Sequence, residues 1–358
     1  MEESASEAEA SDAAEPGRGR AAASPLAIPP LGWKDILWRT WRGANRHRLG
    51  ALAGGVTYFL LLATFPALAA FVSIYGLFLD LETVSRLLDQ LSQVFPQDAV
   101  NLIAQQLVRL SSQRHDTLSA AFAFSALGSL WSANAGLKAL FDGLNVAYGE
   151  TEKRPYLRRS LVTYAATLSL MVFLVAVTLL TVAAPMLFHS LGLHEIKFWF
   201  APIRWLMVFV MAAAGFSFVY RHGPSRRPAR WRWVICGGAG AALVWLIGSL
   251  GFSAYLDNFT HFDVTYGSLG AMIGFMLWVW MSVMVVLWGA ELNAEIEHQT
   301  ALDTTIGQAA PMGERGAVMA DGLGKAFTVS PAEARHEVRA FLSRQVDHVL
   351  TALRMKTR

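Results

Sequence analysis

Between Leu49 and Ala290 the chain alternates long apolar runs with short polar clusters. Six runs stand out, at approximately 50–79, 118–141, 161–188, 200–220, 233–256 and 267–291. A helix of about 20 apolar residues crosses a hydrocarbon core roughly 30 Å thick. Hydrophobic period alone does not separate a core helix from a lipid-facing one, so length and scarcity of charge decide for spanning. The pattern predicts an all-α fold, a polytopic membrane helical bundle with six transmembrane helices. Pro66 is expected to kink the first.

The flanking segments follow other patterns. Residues 33–48 mix cations and indoles (Trp33, Lys34, Trp38, Arg39, Trp41, Arg42, Arg46, Arg48) and suit a helix at a membrane surface. Between the first two runs, Leu81, Val84, Leu87, Leu88 and Leu91, then Leu102, Ile103 and Leu107 after Pro96, read as two short amphipathic extracytoplasmic helices. Residues 1–30, rich in Ala, Glu, Ser and Pro, read as a disordered cytoplasmic tail without the apolar core of a signal peptide. Residues 299–329 lack periodicity and read as a flexible linker. Ser330-Pro331-Ala332-Glu333 then has capping-box spacing and opens an apolar stripe through Leu353, a cytoplasmic amphipathic helix over 330–358.

Composition sharpens the membrane reading. Hydrophobic residues make up 54% of the 358 and charged ones 16%, against about 25% charged in soluble domains. The net charge of +3 first suggests nucleic acid, but its placement tells otherwise. Lys34, Arg39, Arg42, Arg46, Arg48, Lys153, Arg154, Arg158, Arg159, Arg221, Arg226, Arg227, Arg230 and Arg232 fall on one side of the spans, and only Arg86, Arg109, Arg114 and Lys197 on the other. The positive-inside rule puts both termini in the cytoplasm, and no nucleic-acid partner is expected. Cys236 is the single cysteine, which excludes an intramolecular disulfide.

Small residues at four-residue spacing, Gly128, Ser132 and Gly136 in the second run and Gly270 with Gly274 in the sixth, permit close helix approach. With Gly267 and Pro66 they are the candidate packing and hinge positions; intramolecular packing is the leading account, a homo-oligomer seam or gate the alternative. Polar groups at membrane depth are costly and usually functional. Tyr58, Lys138, Asp142, Asn145, Glu291 and Asn293 form a candidate polar pathway near the cytoplasmic ends of the spans, where Lys138 and Asp142 could pair. The blander account is snorkelling and structural hydrogen bonding. Glu295-x-x-His298 has metal-ligand spacing but no second motif, and neither metal nor cofactor is expected. No Walker loop or Gly-x-Ser-x-Gly elbow occurs.

Four segments resemble the YihY/virulence factor BrkB family, in order and at its spacing over about residues 35–298. They are Gly54-Gly55-Val56-Thr57-Tyr58-Phe59 with Phe65-Pro66, Leu140 through Gly149, Tyr266-Gly267-Ser268-Leu269-Gly270, and Trp288 through Ala294. The resemblance implies a bacterial inner-membrane protein of six spans. It assigns no chemistry: the old family label ribonuclease BN is widely regarded as a misattribution, and transport or serum resistance has been proposed for relatives. The expectation is a transporter or exporter of a small or lipid-like solute embedded in the bilayer, and not an enzyme. The alternatives are an envelope scaffold recruiting a partner and, more remotely, a membrane-bound ribonuclease for tRNA.

Overall fold

A computed structural model describes residues 16–75, 100, 118–178, 196–259 and 268–327. Gly267 and the amphipathic helices expected over 81–107 and 330–358 lie outside the described residues. Seven α-helices appear, and no strand among the described residues: α1 (Pro30–Arg46), α2 (Leu49–Tyr75), α3 (Leu118–Ala147), α4 (Tyr156–Thr178), α5 (Ile196–His222), α6 (Trp231–Phe259) and α7 (Ser268–Glu297). Helix α2 carries on past Pro66 to Tyr75.

Helix α1 starts at a proline, whose fixed φ and missing N–H suit the first turn. It buries Gly32, Asp35, Ile36, Arg39, Thr40, Gly43 and Ala44, spaced three and four apart, and exposes Leu31, Leu37 and Trp41 on the other face. Its last turn closes through His47 N–H to Gly43 O (2.8 Å) and Arg48 N–H to Asn45 O (3.2 Å). Arg48, at φ 51°, then turns the chain directly into α2.

Helix α7 is the hub. It packs against α1, α2, α3 and α6. Val279, Val283, Leu287, Ala290 and Ala294 meet Leu49, Ala53 and Val56 of α2 and Leu137, Phe141 and Leu144 of α3 in one core. Helices α2, α4 and α6 begin, and α3, α5 and α7 end, at one polar end of the bundle, where their termini exchange hydrogen bonds. Away from that end, large apolar side chains such as Leu168, Val172, Leu206, Val210, Val244, Ile247 and Leu250 face outward. Outward apolar faces on helices that satisfy their own backbone groups fit a hydrocarbon solvent.

Among the described residues, three segments are long and apolar enough to cross a membrane: Trp205–His222, Trp231–Leu256 and Met272–Glu297; Leu49–Thr64 is a shorter apolar stretch. The helices α2 to α7 occupy the six apolar runs.

Two expectations are corrected. Residues 16–29 are not a loose tail. Gln299 donates to Arg18 O (2.8 Å), Thr300 Oγ1 to Ala22 O (2.8 Å) and Ala301 N–H to Arg20 O (2.7 Å), while Ala22 and Ile28 pack on Ile36, Trp233 and Ile296. Residues 300–323 are not a loose linker either. Ala229 and Thr305 form an isolated antiparallel bridge, with Arg230 N–H to Thr304 O (2.9 Å) and Ile306 N–H to Pro228 O (3.0 Å). Asp303 accepts from Thr305 N–H and Ala310 N–H, and the buried Arg315 guanidinium donates to three carbonyls, of Ala301, Ala310 and Ala320. Such side-chain-to-backbone bonds order a segment without producing a hydrophobic period. Residues 324–358 form a separate unit, described only over 324–327.

Candidate functional site: the polar end of the bundle

The last two turns of α7 carry three buried carboxylates, Glu291, Glu295 and Glu297. Spacing sorts them. Glu291 and Glu295, one turn apart, face α1, whose Arg39, Gly43 and His47 also recur every four residues. Glu297 projects elsewhere, toward the α5–α6 connection.

Arg39 Nε donates to Glu295 Oε2 (2.5 Å), and its Nη2 to Gln299 Oε1 (2.6 Å) and Glu295 O (3.2 Å). His298 Nδ1 lies 3.5 Å from the same Glu295 oxygen. His47 Nδ1 lies 3.0 Å from Glu291 Oε2. The other oxygen, Glu291 Oε1, is buried without a hydrogen-bond partner and rests on α1 at Gly43, where a Cβ would overlap it. His47 is held above its ordinary pKa by its hydrogen bond to Glu291, against the opposing effect of its own partial burial. On the far side, Arg226 Nη2 donates to Glu297 Oε2 (2.6 Å), which Thr304 Oγ1 also reaches (2.9 Å). The Arg226 guanidinium stacks 4.7 Å from the Tyr148 ring centroid.

The six pathway candidates do not share one site. Asn293 is buried and bridges α7 to α6, accepting from Gly237 N–H (2.9 Å) and donating to Val234 O (3.1 Å). A Cβ at Gly237 would overlap its amide. Asn145 is buried too, but accepts from Ser225 N–H (2.7 Å) and donates to Glu152 (3.3 Å), tying the end of α3 to the α5–α6 connection. Lys138 and Asp142 do not pair with each other. Lys138 donates to Ser160 Oγ (3.1 Å), and Asp142, its side chain 54% exposed, accepts from Arg159 (2.6 Å). Both side chains point to α4 because α4 starts beside the last turns of α3. Tyr58, 59% exposed, leans on Phe59 away from the carboxylates. Only Glu291 and Asn293 join the end of α7.

Among the packing candidates, Gly136 abuts Leu60 of α2, where a Cβ would come within 3.1 Å, and Gly270 and Gly274 are buried. Gly128 has open space beside it and is not a contact among the described residues. The expected Glu295–His298 spacing forms an ion pair completed by Arg39, and His, Cys, Asp and Glu do not gather in threes able to hold a metal among the described residues.

Arg39, His47, Arg226 and Glu297 are the residues that sequence reading missed. Arg39 and His47 stood inside a basic stretch that reads as a membrane-facing surface. Their shared face with Gly43 was visible at four-residue spacing, and so was that of Glu291 with Glu295. Which face met which was not.

A family model described as virulence factor BrkB matches residues 40–312. A relative in Bacillus subtilis named as ribonuclease-like, YfkH, is 29% identical over 266 residues, covering 72% of this chain and 93% of that protein. A UPF0761 membrane protein of Rhodospirillum centenum is 25% identical over 252 residues, covering 70% of this chain and 55% of the relative's length. One from Vibrio vulnificus is 27% identical over 265 residues, covering 71% and 80%. No solved structure matches the chain.

Proposed function

The chain belongs to the virulence factor BrkB family, and from that premise we propose that it is a transporter or exporter of a small or lipid-like solute in the bacterial inner membrane. It is a membrane protein like its UPF0761 relatives. Helices α2 to α7 are its six spans, the polar end faces the cytoplasm, and the protein is a carrier and not an enzyme. The ribonuclease-like name belongs to YfkH.

One observation carries the reading. Glu291 is a fully buried carboxylate near the end of an apolar spanning segment, it keeps one oxygen unpartnered, and its hydrogen-bond partner among the described residues is a titratable histidine at the end of α1. A structural ion pair gains from a permanently charged partner and added donors, as Arg39 supplies to Glu295 and Arg226 with Thr304 to Glu297. An ionisable group left half-satisfied within a spanning helix is a functional site by default. The basic residues clustered at the polar end support the cytoplasmic orientation. With no nucleotide-binding motif in the sequence, a gradient supplies the energy.

The test is complementation of a deletion strain. Glu291→Gln keeps the shape and the ability to accept from His47, so the protein is expected to accumulate normally yet fail to restore the deletion phenotype. Full complementation by that variant would remove the basis of the reading.

A further inference from the structure

His47 and Glu291 combine three features that the arginine-held pairs of Glu295 and Glu297 do not. Both members are titratable near neutral pH or can become so, whereas Glu295 and Glu297 are held by arginines that stay charged. Among the described residues Glu291 has one hydrogen-bond donor where a carboxylate can take about four, so hydrogen bonding leaves much of its negative charge uncompensated. And the pair has an inside and an outside: the Glu291 side chain is 1% exposed, that of His47 23%.

We propose that the His47–Glu291 pair is a proton-binding site at the junction of α1 and α7, and that the proton is the coupling ion of the transport described above. The inference rests on that transport reading. The site holds one proton between Nδ1 and Oε2. When the proton lies on the ring, imidazolium faces carboxylate; when it passes to Oε2, two neutral groups face each other with the hydrogen bond reversed. The unpartnered Oε1 lowers the advantage of the ionic form and brings the two arrangements closer. Exchange with water runs through His47, whose ring reaches solvent while Glu291 does not. Loss of the proton leaves a buried carboxylate against a ring without charge, and that weakens the hold of α1 on α7.

The groups facing the pair are Arg39 and Arg46 from α1, Glu295 from α7 with His298 just past its end, and Tyr148 just past the end of α3. Arg46 opposes charge on His47 and Glu295 favours it. Arg39 and His298 are engaged by Glu295. Gly43 belongs to the device as well: any side chain there would push the carboxylate away from α1.

The experiment uses the full chain in lipid nanodiscs with isotope-labelled histidine, titrated by NMR of the ring nitrogens, the His47 signal being assigned with His47→Gln. In wild type, His47 is expected to titrate at higher pH than in Glu291→Gln, and the amide of His47 to exchange faster as pH rises through that midpoint. Arg158→Gln, at an exposed position on α4, serves as the control and is expected to leave complementation intact. Equal His47 midpoints in wild type and Glu291→Gln overturn the proton site, even where the variant loses complementation and the transport reading stands. A shifted midpoint with full complementation by both Glu291→Gln and His47→Gln overturns the coupling, and the transport reading with it. A shifted midpoint together with lost complementation in both variants upholds the proposal.

Discussion

At Gly43 the missing side chain is what lets the Glu291 carboxylate reach the backbone of α1. A methyl there meets a buried oxygen on a helix pinned on both sides, so Gly43→Ala is expected to cost about 1–3 kcal/mol, the usual range for overpacking. A lower Tm of the purified protein checks it, and a wild-type Tm refutes the cradle. Asn293→Ala removes two buried interhelical hydrogen bonds and opens a gap beside Gly237, and about 1–3 kcal/mol is expected to be lost in the same assay. Glu152 illustrates the opposite electrostatic sign to His47. Hydrogen bonding to Arg154 lowers its pKa to about 2, so its contribution is present above its ordinary value of 4.5 and fades as pH falls toward 2. Arg154→Gln is therefore expected to lower Tm most above pH 4.5, with the gap to wild type closing as pH falls toward 2. For His47, whose pKa is raised, the contribution is full below 6.5 and lost as pH rises past the elevated value.

Helix α1 and helix α7 meet through charges buried under apolar neighbours, and the α5–α6 connection meets α7 the same way. Arg226 and Glu297 are both almost fully buried, so removing one partner strands the other. Arg226→Met is expected to cost roughly 3–5 kcal/mol, and Arg226→Met with Glu297→Met to recover most of it. A denaturation series on the two variants decides: equal losses would mean that the ion pair is incidental. The limits of α2 to α7 were readable because uninterrupted apolar runs have only one use at that length. The amphipathic face of α1 was also readable, but its direction was not. Basic and aromatic residues at 33–48 point to a lipid surface, whereas Arg39 is buried against Glu295, and only Trp41, Leu37 and their neighbours remain outside. A cation pattern carries no information about whether its countercharge is a phosphate or a glutamate 256 residues away.

Across the whole molecule, the segments before α1 and after α7 close over the polar end. Deleting 1–29 removes the carbonyls that Gln299, Thr300 and Ala301 bond, and faster proteolysis between 300 and 323 is expected. If the truncated protein resists protease as well as wild type, the N-terminal segment contributes nothing to that order. The proposed topology has its own check, reporter fusions at either end, each expected to report a cytoplasmic location.

By itself the sequence determined that this is a helical membrane chain, where its helices lie and which family it joins, because apolar run length and local motifs are properties of contiguous residues. Tertiary structure decided which polar residues meet. Glu291 found His47 and not Asp142, Lys138 found Ser160, and two segments without any period became ordered by bonds to distant backbone. Those pairings depend on the facing of one helix to another, which is set by packing across the bundle and leaves no trace in local spacing.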